Sequence, residues 1–141
     1  MEERVPISVV LVEDNEVFRQ ALELMLGTTP EIEVVASVAD GRAAVVACET
    51  MQPEVVVMDY RLPGLDGVEA TIAVREVCEA AVVALTATAD RVELDALRGA
   101  GAARCLTKDS SLAGIVAAIR EAARRDEGDP VLGGGGRTAS R

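Results

Sequence analysis

The stretch Glu54-Val-Val-Val-Met-Asp-Tyr-Arg-Leu-Pro-Gly-Leu-Asp-Gly67 decides the fold of this chain. Its apolar residues 55–58 form a continuous run, which is typical of a strand covered on both faces of a parallel sheet. The run ends on the carboxylate of Asp59, and the chain then turns through Leu-Pro-Gly and restarts as a helix near Gly67. Since open α/β sheets build their functional sites just beyond the carboxyl ends of strands, this pattern singles out Asp59 as a functional candidate.

Outward from this stretch, apolar runs of strand length alternate with helical patterns. The predicted strands cover residues 7–12, 32–38, 55–59, 81–85 and 103–107. Helices are predicted between Asn15 and Gly27, over residues 41–51, from Asp66 to about Val77, from Asp90 to about Ala100, and from about Ser111 to Arg125. This alternation indicates a parallel sheet with helices on both faces, joined by right-handed crossovers. The predicted fold class is α/β, a (βα)5 doubly wound five-stranded parallel sheet in the flavodoxin-like order 2-1-3-4-5.

Residues with capping side chains stand before four of the predicted helices, and they are Asn15, Asp40, Asp66 and Asp90. Glu69 and Glu93 follow the last two of these caps at the spacing of a capping box. Gly27 is predicted to stop the first helix. The last helix carries an apolar stripe that fits either the core or part of a dimer face, so a homodimer is left open. The residues of the stripe are Leu112, Ile115, Val116, Ala118 and Ile119.

Length and composition exclude several classes of protein. Half of the 141 residues are hydrophobic, which predicts one folded domain over residues 1–125. Residues 126–141 have the glycine-rich composition of a flexible linker or tail. No apolar run reaches the ~20 residues of a membrane span and the N-terminus does not resemble a secretory signal, so we expect a cytoplasmic protein with no membrane contact. The net charge of −10 predicts no nucleic acid binding by this chain alone.

Three residue types are informative because they are scarce. The chain has no histidine, so a mechanism that needs an imidazole must obtain it from a partner protein. Lys108 is the only lysine among 14 basic residues and falls at a predicted strand end, where a compact ammonium is indicated and not a planar guanidinium. The three cysteines are far apart in sequence and predict neither a zinc site nor a redox motif.

The residues with distinctive chemistry follow predicted strands, and they are Glu13, Asp14, Asp59, Thr86 and Lys108. Because the carboxyl ends of parallel strands share one edge of a sheet, we expect these side chains to gather there. Three neighbouring carboxylates repel one another, and a divalent cation and an ammonium relieve that repulsion. Oxygen ligands of this kind suit Mg²⁺. A carboxylate beside Mg²⁺ and a lysine can act as a nucleophile and form an aspartyl phosphate, with the threonine hydroxyl donating to a phosphoryl oxygen.

Four segments resemble the signatures of the receiver domain of bacterial two-component response regulators. They are Val-Val-Leu-Val-Glu-Asp-Asn at residues 9–15, Val-Val-Met-Asp-Tyr-Arg-Leu-Pro-Gly-Leu-Asp-Gly at 56–67, Leu-Thr-Ala at 85–87 and Leu-Thr-Lys-Asp at 106–109. The segments occur in the family's order, and the resemblance covers residues 6–125. It implies that Asp59 accepts a phosphoryl group from the phosphohistidine of a sensor histidine kinase, in keeping with the absence of histidine here.

The same resemblance implies roles for the neighbouring residues. Asp14 would ligate Mg²⁺ directly, Glu13 would act mainly through water, and the backbone carbonyl of Arg61 would complete the protein ligands. Thr86 and Lys108 would contact the phosphoryl group. Cys105 stands where the family often has an aromatic residue coupled to the active-site threonine. A signal is therefore expected to travel through Thr86 and the following loop, or through helix repositioning.

The output of the protein is predicted from the residues after Lys108. The sequence Lys-Asp-Ser-Ser-Leu at residues 108–112 resembles the subfamily with a C-terminal helix-turn-helix domain, which implies transcription control through a DNA-binding domain absent from this chain. A stand-alone receiver that acts by protein–protein interaction is the competing interpretation. An aspartate-nucleophile phosphatase is disfavoured because Arg61 stands where its general acid is needed. A flavin carrier lacks aromatic residues here, and the complete acidic set argues against a receiver-like module that has lost phosphorylation.

Overall fold

The computed structural model describes residues 5–87 and 90–123. In this part of the chain the elements follow in the order β1 (Ile7–Val12), α1 (Glu16–Gly27), β2 (Ile32–Val38), α2 (Gly41–Met51), β3 (Val55–Asp59), α3 (Gly67–Val77), β4 (Ala81–Thr86), α4 (Arg91–Ala100), β5 (Arg104–Thr107) and α5 (Leu112–Ala122). The strands form one parallel sheet in the order β2-β1-β3-β4-β5. The predicted fold class and strand order are therefore confirmed. Among the described helices, none combines the length and the apolar character that crossing a bilayer requires.

Element boundaries differ from the prediction at a few positions. β4 extends to Thr86, and β5 begins at Arg104 and not at residue 103. As predicted, α1 ends at Gly27, and Thr28 follows it as the C-cap residue. The Thr28 hydroxyl donates to the Met25 carbonyl over 2.7 Å, so a side chain supplies a hydrogen bond at this helix end. The predicted end of the last helix at Arg125 and the predicted linker over residues 126–141 lie outside the described residues.

The predicted N-caps satisfy the first amide groups of their helices. Asn15, Asp40, Asp66 and Asp90 each accept backbone N–H groups from the first turn that follows. Asp66 and Glu69 form the reciprocal capping box that their spacing predicts. The carboxylate of Glu93 has contacts that its spacing did not predict, because its two oxygens accept hydrogen bonds from Thr86 and Arg61.

Both faces of the sheet are covered by helices. On one face, strand side chains pack against α1 and α5, from which Leu22, Leu26 and Ile119 are buried. On the other face, they pack against α2 and α3 through residues such as Cys48 and Val74. Four of the five residues in the predicted stripe of α5 are buried in the first of these cores, namely Ile115, Val116, Ala118 and Ile119. These four residues of the stripe therefore belong to the core.

The three cysteines are free thiols. Cys48 and Cys78 are buried between helices α2 and α3, and Cys105 is half-buried on β5. Burial, with the neighbouring thiol of Cys78, raises the pKa of Cys48 to about 12. This thiol is therefore protonated and unreactive at neutral pH.

The backbone doubles back tightly where β3 leads into α3. The Gly67 N–H donates to the Tyr60 carbonyl over 2.7 Å, and the Thr71 hydroxyl donates to the Gly67 carbonyl over 2.7 Å. A Cβ atom at Gly67 would lie 2.6 Å from Tyr60 Cα and 2.8 Å from Tyr60 O. Only glycine fits this approach, which positions the loop directly after Asp59.

We expect Gly67→Ala to lower the free energy of unfolding by about 1–3 kcal/mol, because its Cβ must displace the Tyr60 backbone. Urea unfolding followed by circular dichroism measures the change. Gly99→Ala is the matched control, since a Cβ at Gly99 in α4 meets nothing within 4 Å. The control should be neutral or stabilising by up to about 1 kcal/mol. Equal stabilities of the two variants would contradict the role given to Gly67.

Candidate functional site

The ammonium of Lys108 lies between two buried carboxylates. Its Nζ atom is 2.8 Å from Glu13 Oε1 and 3.1 Å from Asp59 Oδ2. Glu13 is 1% exposed and Asp59 is 4% exposed, so water can solvate neither anion well. Because an unpaired buried charge is strongly destabilising, the two acids require a nearby cation. The only lysine of the chain supplies it.

The register of the parallel sheet brings these residues together. Val12 pairs with Met58, so Glu13 and Asp59 follow side by side at the ends of β1 and β3. Asp59 pairs with Leu85, and the next residue, Thr86, pairs with Thr107 on β5. The backbone N–H of Lys108 donates to the Thr86 carbonyl over 2.8 Å. The residues at the four strand ends therefore lie along one edge of the sheet.

A third carboxylate completes an acidic cluster at this edge. Oxygen atoms of Glu13, Asp14 and Asp59 all lie within 4.8 Å of one another. Three carboxylates and the one ammonium of Lys108 leave two net negative charges, which is the charge that a divalent cation neutralises. Glu13 Oε1 is buried and is contacted by the ammonium without a well-directed hydrogen bond, so it retains acceptor capacity. Hard oxygen donors in this arrangement fit Mg²⁺.

Backbone groups hold the acids in place. The Asn15 N–H donates to Glu13 Oε2 over 2.9 Å, and the Arg61 N–H donates to Asp59 Oδ1 over 3.3 Å. The guanidinium of Arg19 donates to the backbone carbonyl of Glu13 over 2.8 Å. In each of the two buried carboxylates, one oxygen therefore accepts a hydrogen bond from a backbone N–H, and the other forms an ion pair with Lys108. This arrangement limits their rotation.

The pKa values of Glu13 and Lys108 are both raised. For Glu13, burial raises the pKa; the Lys108 ammonium and the Asn15 N–H oppose this, and the charge of Asp59 adds to it. For Lys108, burial alone would lower the pKa, but contacts with Glu13 and the charge of Asp59 outweigh burial and raise it. The ammonium is therefore the stable form throughout the neutral range.

Thr86 and Arg61 lie at the same edge, and the side chains of both contact Glu93. The Thr86 hydroxyl donates to Glu93 Oε1 over 3.0 Å, and Arg61 Nη2 donates to Glu93 Oε2 over 3.2 Å. The backbone of Arg61 is placed next to Asp59 by its N–H hydrogen bond. The metal-ligand role of the Arg61 carbonyl and the phosphoryl contact of Thr86 remain predictions.

Sequence analysis missed three residues of this site. The Lys108 ammonium lies 4.9 Å from the centroid of the Phe18 ring, which is a cation–π distance. Arg19 contacts the backbone of Glu13, and Glu93 contacts Thr86. Phe18 and Arg19 follow the cap Asn15 on the first turn of α1, and that position beside the acidic pair is the only signal that the sequence offered for them.

A cleft of about 480 Å³ opens next to the acidic cluster. Its lining residues come from the end of β1 and from the loop after β3, and they are Asp14, Tyr60, Arg61, Leu62, Pro63 and Asp66. Asp14 is exposed, whereas Glu13 and Asp59 are buried. A solute therefore reaches the cluster from the Asp14 side.

Comparison with known proteins agrees with this geometry. A family model described as the response regulator receiver domain matches residues 9–120. The transcriptional regulatory protein LiaR of Bacillus subtilis is 35% identical over 127 residues, which cover 89% of this chain and 59% of LiaR. This chain therefore spans less than two thirds of the length of that relative.

Two solved structures have the same fold. The signal receiver domain of the putative response regulator NarL from Mycobacterium tuberculosis has a TM-score of 0.82 and 30% identity, covering 85% of this chain and 98% of that one. The receiver domain of the sensor histidine kinase PA1611 from Pseudomonas aeruginosa has a TM-score of 0.75 and 32% identity, covering 84% of this chain and 98% of that one. A magnesium ion is coordinated in the active-site cleft of the PA1611 domain.

We expect Lys108→Met to lower the free energy of unfolding by about 3 kcal/mol at neutral pH, since it leaves two buried carboxylates without a cation. The loss should shrink as the pH falls toward 5. Burial raises the pKa of Glu13 and Lys108 opposes that rise, so without Lys108 protonation of Glu13 should favour the folded state. The stabilising contribution of Lys108 itself is fully present below its ordinary pKa of 10.5 and disappears only above its raised value. Urea unfolding between about pH 5 and 8 measures both effects.

Arg104→Met is the matched control for Lys108→Met. Arg104 pairs with Glu121 over 2.8 Å, but both side chains are nearly half exposed. Surface pairs contribute at most about 1 kcal/mol, so the control should show a small loss with little dependence on pH in this range. A Lys108→Met variant that behaves like the control would contradict the bridging role of the ammonium.

Proposed function

This chain belongs to the response regulator receiver domain family, and from that premise we propose that it is the phosphoacceptor part of a two-component response regulator. Asp59 takes a phosphoryl group from the phosphohistidine of a sensor histidine kinase. The observation that carries this proposal is the Asp59 carboxylate itself, which is buried, lies 3.1 Å from the Lys108 ammonium and belongs to a cluster of three acids. The donor imidazole comes from the partner, since this chain has no histidine.

The transfer exchanges one bond for another. An oxygen of Asp59 attacks phosphorus in line with the phosphohistidine nitrogen, so the P–N bond breaks as the P–O bond forms. The leaving imidazole keeps the electron pair of the P–N bond. The Arg61 N–H and the Lys108 ammonium orient the carboxylate for this attack, each through one of its oxygens. Orientation of this kind is most of what a protein contributes to phosphoryl transfer.

Three acids would hold the metal that the reaction requires. Asp14 and Asp59 would ligate it through carboxylate oxygens, Glu13 would act mainly through water, and the Arg61 carbonyl would complete the protein ligands. When bound, Mg²⁺ neutralises charge on the phosphoryl oxygens during transfer. Lys108 neutralises part of the same charge from the side of β5. The Thr86 hydroxyl donates to a phosphoryl oxygen after it turns away from Glu93. The protein acts as a signalling phosphoacceptor and not as an enzyme with a separate substrate.

Phosphorylation would then control an output outside this chain. LiaR is a transcriptional regulatory protein, and this chain covers 59% of its length, which supports a DNA-binding output in a part not included here. The site of action is cytoplasmic, where such a chain meets the kinase and DNA. The stand-alone receiver stays the alternative, and it shares the same phosphoryl chemistry.

Asp59→Asn should abolish phosphorylation by acetyl phosphate in the presence of Mg²⁺, because the amide cannot act as the nucleophile. Intact-protein mass spectrometry measures the added phosphoryl group. Asp40→Asn is a matched control, since Asp40 only caps α2 by accepting the Ala43 N–H and asparagine caps equally well. Labelling of Asp59→Asn at the level of this control would refute the assignment of the nucleophile.

Mg²⁺ should stabilise the protein, and Asp14→Asn should remove that effect. At a concentration 100 times the dissociation constant, one bound ion raises the free energy of unfolding by about 2.7 kcal/mol. Tyr60 is the only tyrosine of a chain without tryptophan and lines the cleft beside Asp14, so its fluorescence can report the titration. Asp109→Asn is the control, since Asp109 is exposed and lies outside the acidic cluster. A Tyr60 titration that is the same in Asp14→Asn and in the control would exclude Asp14 as a ligand.

A further inference from the structure

Glu93 links the candidate phosphorylation site to helix α4. It lies in the first turn of α4, and its carboxylate accepts the Thr86 hydroxyl on Oε1 over 3.0 Å and the Arg61 guanidinium on Oε2 over 3.2 Å. The Glu93 side chain is 14% exposed, whereas that of Arg61 is 72% exposed. Glu93 is therefore largely shielded from solvent and is held by two groups that stand beside Asp59 in the fold.

The Thr86 side chain donates its single hydroxyl proton to Glu93. A threonine hydroxyl carries one O–H donor. While that proton points at Glu93, it cannot also point at a phosphoryl oxygen on Asp59. Thr86 is 1% exposed, so solvent offers it little replacement hydrogen bonding. The carboxylate and the phosphoryl group therefore compete for the same donor.

Charge acts in the same direction as the hydrogen bond. Phosphorylation replaces the single negative charge of Asp59 with a phosphoryl group that carries close to two. The Glu93 carboxylate accepts the Thr86 hydroxyl, and Thr86 follows the residue that pairs with Asp59 on the neighbouring strand. Like charges at short range raise each other's free energy, and partial burial weakens solvent screening. Arg61 offsets only part of this repulsion, because it is mostly exposed.

We propose that Glu93 is a positioning residue that holds Thr86 away from the phosphoryl site, so that phosphorylation must break the Thr86–Glu93 hydrogen bond and release the first turn of α4. This inference rests on the proposed function, since it requires a phosphoryl group on Asp59. Glu93 touches neither Asp59 nor the acidic cluster through any contact found within residues 5–87 and 90–123, so it acts through Thr86. The Glu93 carboxylate repels the phosphoryl charge and competes with the phosphoryl group for the Thr86 hydroxyl. Removing this carboxylate therefore makes phosphorylation easier.

The experiment compares Glu93→Ala, Glu93→Gln and the control Asp95→Ala in the same chain. Asp95 also lies on α4, but it is exposed and pairs only weakly with Arg98 over 3.8 Å. Glutamine keeps an acceptor for Thr86 and loses the charge, whereas alanine loses both. The first readout is the Thr86 methyl signal of the unphosphorylated protein by NMR, assigned with Thr86→Ala. The second is the rate of phosphorylation by acetyl phosphate with Mg²⁺, followed by mass spectrometry.

We expect the Thr86 methyl signal to shift in Glu93→Ala and to stay in place in Asp95→Ala. Glu93→Ala should be phosphorylated roughly fivefold faster than the unmodified chain, a coupling at the low end of those known between sites. The phosphorylation rate of Glu93→Gln should lie between those of Glu93→Ala and the unmodified chain. The rate of Asp95→Ala should match that of the unmodified chain. In a Thr86→Ala background, most of the effect of Glu93→Ala should disappear, because the partner through which it acts is gone.

Each other result overturns one of the two claims. An unmoved Thr86 methyl signal in Glu93→Ala, or equal labelling rates for all three variants and the unmodified chain, overturns the role of Glu93 and leaves the phosphoacceptor proposal standing. An undiminished effect of Glu93→Ala in the Thr86→Ala background also overturns it, since Glu93 would then act by another route. An unmodified chain that is not labelled at all overturns the proposed function, and the role of Glu93 with it.

Discussion

The ion pairs of Lys108 with two buried carboxylates are the interaction on which the site depends. Glu13 and Asp59 are almost completely removed from water, and their only close cation lies 2.8 Å from one and 3.1 Å from the other among the described contacts. Burying two anions with one ammonium is not a favourable arrangement in itself, because desolvation offsets most of the attraction. The arrangement leaves excess negative charge at one edge of the sheet. That charge attracts a divalent cation or an electrophilic phosphorus atom.

Much of the surrounding structure serves to hold this charge in place. The core on both faces of the sheet fixes the strands, and their parallel register brings the ends of β1, β3, β4 and β5 to one edge. Gly67 lets the chain return against Tyr60, so the Arg61 amide can reach Asp59. On the other side, α1 begins directly after the acidic pair, and Phe18 on its first turn lies against the ammonium. Packing of the core, the turn at Gly67 and the contacts of the ammonium therefore all help to position the Asp59 carboxylate and Lys108.

The contacts of the Thr86 side chain connect the site to the rest of the fold. Cys105, at the position where the sequence resemblance implies an aromatic residue, is half-buried on β5 and pairs with Ala84 in the sheet. The described structure instead connects Thr86 to α4 through a carboxylate, with Arg61 on the other oxygen. If Asp59 is phosphorylated as proposed, this polar connection would respond to the added charge, because the Arg61 N–H contacts Asp59 and Thr86 follows the residue that pairs with Asp59.

The sequence alone determined the order of elements, the parallel sheet and the residues of the acidic cluster. Those features follow from local patterns: apolar runs of strand length, caps before helices, and polar residues directly after strands, all of which the chain carries within short windows. Tertiary structure alone decided the burial of the α5 stripe and the contacts of Phe18, Arg19, Arg61 and Glu93. Those features depend on which side chains meet across elements distant in the sequence, and spacing along one helix carries no record of them. Glu93 shows the difference, because its capping-box spacing is local, whereas its contacts with Thr86 and Arg61 exist only after α4 has packed beside the sheet edge.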